Sequence, residues 1–379
     1  MWRRDDDIQT MLRESAENFA TMAHDLQRVR RCRVSAEGHE PAVWTEMAAL
    51  GWTGAMLPEQ FGGAGLGLAP ALTLAEIWGR HLVSEPLIAS SVMAATVLSQ
   101  SSSDRALALA AAIAEGGATA SLAYQEELGV LYPSPPKTIA TREAGAVVLS
   151  GRKIFVPCWS ANTHLLVTAR LDDQTVVIAI DPQVAEAHVG ESRRMTDGSI
   201  SVDLEFRSAA ISADDVILMG GAASQAVDLA IARGMLALSA QMEGLCVALL
   251  KMTGDYVLQR VQFGQPLGSF QSIRHSLANL YVQVELAGAA WRSAASALED
   301  GPLDEARGAI SSAKARASDT ALAVAKAAIQ YHGAFGYTEE ADVGLYVNCA
   351  LRLASWLGNA PAHRALALRQ HQQRQASHA

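Results

Sequence analysis

"RVQFGQPLGSFQ", residues 260–271, interrupts an Ala- and Leu-rich region that otherwise keeps helical spacing. The interruption sets a cation, a ring, glycines, a proline and amides side by side, and these residue types share a task. Arg260 carries a planar fork of donors that suits a pyrophosphate, and Phe263 offers a face to a flat ring. Gly264, Pro266 and Gly268 let the chain turn, and Gln271 can satisfy a buried polar edge. An ordinary helix-to-helix turn with a solvated arginine explains the same residues equally well, so on chemistry alone the two readings stand level.

Outward from this stretch, apolar residues at helical spacing predict long helices over about 221–261, 268–300, 303–333 and 340–373. Links as short as "EDGP" (299–302) make neighbouring helices antiparallel, which predicts an up-and-down four-helix bundle over 213–379. A second junction in that bundle, "QYHGAFGYTEE" (330–340), repeats the pattern of amide, paired glycines, aromatic and acid. Two glycine-interrupted junctions in one bundle point to a shared ligand. The polar end "RQHQQRQASHA" (369–379) is expected to fray.

Upstream, the spacing in "AVWTEMAALGW" (42–52) and "LAPALTLAEIWGRHLV" (68–83) predicts a helical N-terminal domain over 1–117. Between the two helical regions lie short runs rich in β-formers, among them "AVVLSG" (146–151), "THLLVTARL" (163–171) and "SVDLEF" (201–206). Turn-forming segments such as "LDDQ" (171–174) and "MTDG" (195–198) separate them, which predicts a mostly antiparallel β domain over 118–212. The expected fold class is α+β, in the order helical domain, antiparallel β domain, four-helix bundle.

The 379 residues carry 30 Lys+Arg against 39 Asp+Glu, and a net charge of −9 argues against nucleic-acid binding, which relies on phosphate neutralisation. The start "MWRRDDDIQTML" lacks the apolar core of a signal peptide. The most apolar run, "MLALSAQMEGLCVALLKM" (235–252), contains Gln241, Glu243 and Lys251, so no membrane partner and a cytoplasmic location are expected. Cys32, Cys158, Cys246 and Cys349 show no CxxC spacing and are expected to be buried thiols, with no metal site. "FGGAGLGLA" (61–69) misses the dinucleotide-loop spacing and follows no predicted strand, which leaves it as a connector. There is neither an HExxH nor a GxSxG motif.

Several longer stretches together resemble the acyl-CoA dehydrogenase family across essentially the whole chain. "GWTGAMLPEQFGGAGLG" (51–67) and "EIWGRHLVSEPL" (76–87) are similar to its N-terminal helical domain, and "LSGRKIFVP" (149–157) to its β-domain motif. "RVQFGQPLGSFQSIRHSLANL" (260–280) and "IQYHGAFGYTEE" (329–340) resemble its two C-terminal signatures, in the right order and spacing. The resemblance implies FAD held between the β domain and the bundle and at a dimer contact. It also implies oxidation of the Cα–Cβ bond of an acyl-CoA thioester, with a carboxylate removing the α-proton as the β-hydride passes to the flavin. Arg260, Phe263, Gln271, Gln330 and Gly333 match positions that in the family touch FAD, commonly that of the neighbouring subunit.

The carboxylate is what this chain lacks. Where many members carry Tyr-Glu-Gly, Trp356, Leu357 and Gly358 stand; the alternative positions fall on Gly234 and Gln241. Glu243 is the nearest acid, but two residues from Gln241 is about 200° around a helix. In the β domain, the aromatic-Ile-Thr run is replaced by Phe155, Val156 and Pro157, the Gly-Ser loop reads "YQEELGVLYPSPP" (124–136), and Cys349 replaces a cation. No catalytic residue is therefore assigned. The pattern implies the base-lacking partner in an α2β2 acyl-CoA dehydrogenase, an arrangement known among relatives acting on bulky, steroid-type acyl-CoAs. Two alternatives stay open: a self-sufficient homo-oligomeric dehydrogenase that uses Glu243 or another carboxylate, and a flavin-free scaffold subunit.

Overall fold

The computed structural model describes residues 7–23, 25–132, 135–143 and 145–377. Helices α1 (Asp7–Ala23), α2 (Leu26–Val34), α3 (Pro41–Ala49), α4 (Leu68–His81), α5 (Ala95–Leu98) and α6 (Asp104–Ala114) come first, with a π-wound segment, Leu87–Ala94, running into α5. Strands β1 (Thr119–Ala123), β2 (Ile139–Glu143), β3 (Ala146–Pro157), β4 (Thr163–Leu171), β5 (Gln174–Ile180), β6 (Val189–Arg194), β7 (Ile200–Ser212) and β8 (Val216–Met219) follow, with the short helix α7 (Pro182–Glu186) among them. The chain then runs through α8 (Gly221–Gln259), the two-residue strands β9 (Val261–Gln262) and β10 (Gln265–Pro266), α9 (Gln271–Asp300), α10 (Leu303–His332), α11 (Val343–Ser355) and α12 (Ala360–Ser377). Contacts group these elements into two units. One takes the chain up to Arg31, Leu72–Val83 and Met235 onward; the other takes Cys32–Ala71 and Ser84–Gly234.

The second unit is built on one 8-stranded sheet in the order β6-β7-β3-β2-β4-β5-β8, with β1 also paired to β4. Its core is aliphatic, drawn from residues such as Val147, Leu149, Leu165, Val167, Val176, Ile178, Val202 and Leu204, all fully buried. Most pairings in the sheet are antiparallel, as expected. The sheet is mixed in one respect, because β1 and β2 both run parallel to β4; residue alternation reports which face a side chain occupies, not the direction of the neighbouring strand. The β structure also continues past residue 212, since Val216–Met219 pairs with β5. Strand β3 bends at two irregularities, at Leu149/Gly151 and Lys153/Val156. At the first, Gly151 (φ 151) admits no side chain, because a Cβ would lie 2.7 Å from Thr138 Cα.

Helices α8, α9 and α10 follow the predicted helices to within a few residues. The fourth predicted segment is two helices, α11 and α12, separated by residues 356–359. Leu357 there takes φ 54 and Gly358 φ 95. The polar end is not frayed but helical to Ser377. Helices α4 and α8 cross at backbone contact: a Cβ on Gly79 would lie 1.9 Å from Gln241 O, and one on Gly244 would lie 1.8 Å from Glu76 O. Helix α8 is long and apolar enough to cross a membrane by length and composition, the one such helix among the described residues, and 67% of its most apolar window is buried in the fold. None of the four cysteines forms a disulfide; Cys32 and Cys246 are buried as expected, whereas Cys158 and Cys349 are only half-buried.

Candidate functional site

The opening stretch folds into a hairpin. Arg260 N–H donates to Tyr256 O (2.9 Å), closing α8, and Leu267 N–H donates to Arg260 O (2.8 Å). Pairing of Gln265 with Gln262 and of Pro266 with Val261 leaves Phe263 and Gly264 as a two-residue loop. Both loop residues are left-handed, at φ 53 and 82, the pattern of a type I′ turn. Gly264 suits that conformation. Phe263 does not, since a left-handed L-residue costs roughly 1–2 kcal/mol. Its ring is 88% exposed and meets Phe270 edge-on at 6.2 Å. The fold itself gives no reason for an aromatic residue in a strained backbone and shown to solvent.

The second junction follows α10. His332 is buried, its Nδ1–H donates to Ala328 O (2.8 Å), and its ring stacks on Tyr256 with centroids 4.2 Å apart. Gly333 takes φ 61 and ψ −144, a backbone region that a side chain disfavours, and a Cβ there would meet nothing within 4 Å. The two junctions share one groove of about 580 Å³, lined by Tyr256, Arg260, Gln262, Tyr331, Gly333 and Phe335 among others.

Of the residues singled out from sequence, Arg260 and Gly333 thus face the same groove. Phe263 stands at the hairpin tip, Gln271 opens α9 and Gln330 lies in the last turn of α10; all three are exposed and outside the groove lining. Tyr256 and His332 were missed. The four-residue spacing of Tyr256 to Arg260 on one predicted helix, and the adjacency of His332 to Gly333, were the available signals.

The β-domain motif is bound up in its own contacts. Phe155 sits at the second irregularity of β3 with φ 52, its N–H donates to Asp203 Oδ1 (3.1 Å), and the Arg193 guanidinium lies 4.9 Å above its ring. Arg193 Nη1 and Arg152 Nη2 donate to the same carboxylate at 2.6 and 2.5 Å. Burial alone would raise the Asp203 carboxyl, but the bonds from Arg193, the Phe155 N–H and Arg152 outweigh it and hold it below its ordinary range. Pro157 has no N–H, and its carbonyl accepts Ser121 Oγ–H at 2.6 Å. In the loop "YQEELGVLYPSPP", Pro133 and Ser134 lie outside the described residues. Glu126 takes the buried Lys153 Nζ at 2.7 Å and the Thr138 N–H at 2.7 Å.

The positions at which a base was sought carry no acid. Gln241 presents its main-chain carbonyl to Gly79. Gly234 lies within α8. Leu357 is buried, and its carbonyl accepts from His363 Nε2 at 2.7 Å. Beneath that turn the fully buried Lys314 Nζ donates to Ser318 Oγ (3.0 Å) and to the carbonyls of Leu353, Ala354 and Gly358 (3.2, 3.3 and 3.2 Å). Glu243 is 6% exposed and committed to Trp291 Nε1 (2.6 Å) and Arg292 Nη2 (3.0 Å). No group of three or more His, Cys, Asp or Glu among the described residues is placed to hold a metal.

Comparison with known proteins bears on the family and the fold. The family model for the acyl-CoA dehydrogenase N-terminal domain matches residues 6–116, and that for the C-terminal domain matches residues 220–371. The acyl-CoA dehydrogenase IpdE2 of Mycolicibacterium smegmatis is 26% identical over 349 residues, covering 92% of this chain and 94% of the relative. The short-chain specific acyl-CoA dehydrogenase of Megasphaera elsdenii is 27% identical over 358 residues, covering 89% and 93%. Among solved structures, a variant of the Tcur3481-Tcur3483 steroid acyl-CoA dehydrogenase superposes with a TM-score of 0.87 at 27% identity over 98% of this chain and 99% of that one. The ChsE4-ChsE5 complex of Mycobacterium tuberculosis gives a TM-score of 0.85 at 20% identity, over 98% of each chain, and so speaks to the fold. With both ends of the chain matched and the order of helical domain, sheet and bundle shared, the protein belongs to the acyl-CoA dehydrogenases, a family of FAD-dependent oxidoreductases.

Proposed function

We propose that this chain is the base-lacking partner in a heteromeric acyl-CoA dehydrogenase and lends flavin contacts to a homologous subunit across their interface. One observation carries the reading: the residues that match flavin contacts for a neighbour lie open, while the wall and base positions of the chain's own site are filled or neutral. Arg260, Phe263, Gln271, Gln330 and Gly333 are all exposed. Phe155, by contrast, spends its N–H on Asp203 and its ring face on Arg193, and Leu357 is buried.

The groove between the two junctions fits FAD. Arg260 supplies a planar cation for the pyrophosphate, and the backbone at Gly333 is open to close approach. Phe263 offers its ring face, and Gln271 and Gln330 supply amide groups at the ends of α9 and α10. FAD, when bound, supplies the hydride acceptor; this chain's residues bind and orient it. The β-domain wall does not fit the flavin-ring contact that the family's hydroxyl makes, because Pro157 has neither hydroxyl nor N–H to offer. The proton from Cα of the acyl-CoA is accordingly assigned to a carboxylate of the homologous partner, and bulky, steroid-type thioesters are the substrate class proposed by analogy with the heteromeric relatives.

The test compares the chain purified alone with the assembled enzyme. Alone it should carry little flavin and show no bleaching with an acyl-CoA; stoichiometric FAD that bleaches on thioester addition would overturn the proposal. In the assembly, Arg260→Ala should lower FAD occupancy. Unchanged occupancy would favour a flavin-free scaffold.

A further inference from the structure

Tyr256 lies in the last turn of α8, four residues before Arg260, which follows the helix end, and both line the same groove. Its carbonyl accepts the Arg260 N–H at 2.9 Å, so it closes the turn from which the hairpin leaves. Its ring stacks on His332 at 4.2 Å with planes 23° apart, and its hydroxyl donates to His332 O at 3.4 Å, across 76 residues of chain. His332 is fixed from its own side by the Nδ1–H bond to Ala328 O, and the next N–H, that of Gly333, donates to Ile329 O. Tyr256 therefore touches the start of one junction through its backbone and the start of the other through its ring.

We propose that Tyr256 is a positioning residue for the ADP half of the flavin, setting the spacing between the Arg260 guanidinium and the backbone at Gly333. The proposal rests on the groove being a flavin dinucleotide site, as argued above. The physical reason is preorganisation. Two segments far apart in sequence must present a cation and a bare backbone at a fixed separation, and each would otherwise be ordered at the expense of binding. Ring stacking adds attraction beyond the area it buries, whereas a 3.4 Å hydroxyl contact is long for an O–H donor. The ring, not the hydroxyl, is the strut.

The experiment measures ADP and FAD affinity of the flavin-stripped assembled enzyme for Tyr256→Leu, Tyr256→Phe, Arg260→Ala and the Tyr256→Leu/Arg260→Ala pair. Tyr256→Leu should weaken ADP by about tenfold, Tyr256→Phe should stay within about threefold of the parent, and the pair should be no weaker than Arg260→Ala alone, because the strut acts through the arginine. Losses that simply add, or a Tyr256→Phe as weak as Tyr256→Leu, would overturn the proposal. An Arg260→Ala that leaves ADP affinity intact would instead overturn the groove assignment itself. A loss with Arg260→Ala but none with Tyr256→Leu would remove the strut alone. Should Tyr256→Leu fail to fold, His332→Leu removes the other half of the stack and is read against the same outcomes.

Discussion

Glu243 and Arg292 face each other across α8 and α9, with both carboxylate oxygens 3.0 Å from Arg292 Nη2. Trp291 Nε1–H donates to the same carboxylate, and Glu76 Oε2 lies 3.8 Å from the shared guanidinium. Space around the acid is tight, since a Cβ on Gly288 would lie 2.1 Å from Glu243 Oε1. Burial pushes the Glu243 carboxyl up, with Arg292 opposing and Glu76 adding to the rise. These contacts tie α8 to α9 through the acid.

Glu243→Gln should therefore act on stability rather than on chemistry. Leaving Arg292 with a weakened partner in a buried setting is expected to cost about 3 kcal/mol, read as a lowered urea midpoint with unchanged slope. The rate of flavin reduction in the assembled enzyme should stay within about twofold, whereas loss of a general base would cost about 100-fold or more. A large loss of turnover with full stability would return Glu243 to the role of base.

The helix crossing gives a sharper stability prediction. A methyl at Gly79 or Gly244 meets a carbonyl at under 2 Å, and a carbonyl belonging to a packed helix cannot rotate away. Gly79→Ala and Gly244→Ala should each destabilise by about 3 kcal/mol, at the upper end of the usual range for overpacking. Gly254→Ala, where a Cβ would meet nothing within 4 Å, should leave the midpoint unchanged or raise it slightly. Thermal unfolding of the three variants separates close packing from general loss of glycine.

Much of this architecture was legible because helical periodicity is local. Gly301 ends α9, Pro302 precedes α10 and Gly333 ends it. The direction of β1 and β2 against β4 was not legible, since pairing is decided by which strands meet, and the same alternating face serves either direction. The apolar Val216–Met219 lies ahead of the first predicted bundle helix, and only its pairing with β5 makes it a strand. Leu357 carries no turn chemistry of its own; its left-handed backbone is held by tertiary contacts from Lys314 and His363 to the carbonyls around it. For the site, glycines and an arginine at two junctions marked the groove, but the Tyr256–His332 stack that joins them exists only in three dimensions.

Lys314 should leave a signature in the pH dependence of stability. Burial lowers its ammonium to about 7 from an ordinary 10.5, with Arg352 adding to the fall, and His363, lowered by burial and by Lys314 to about 4, is the other titratable neighbour. A base with a depressed pKa binds fewer protons folded than unfolded between those two values, so stability should rise as pH climbs from about 7 toward 10. The slope for one proton is at most about 1.4 kcal/mol per pH unit. Lys314→Met should remove that slope relative to the parent, measured by urea midpoints from pH 7 to 10. It should also lower stability throughout that range, because the buried carbonyls around Nζ lose a donor.

Phe263 allows the interface reading to be tested against the fold. The hairpin demands left-handed backbone at both loop positions, and Asn-Gly is the sequence that type I′ turns favour. Phe263→Asn should therefore stabilise the isolated chain by about 1 kcal/mol, since it relieves a bulky residue from φ 53 and withdraws an exposed ring from water. In the assembled enzyme the same change should have the opposite sign, weakening subunit association and FAD retention, because the ring then has a surface to lose. The unfolding midpoint of the chain alone and the FAD occupancy of the assembly form the decisive pair of measurements. A variant that gains stability alone and keeps full FAD occupancy in the assembly would show that the exposed ring serves neither partner nor cofactor, whereas opposite signs would identify the strained phenylalanine as a residue retained for contact at the expense of the fold.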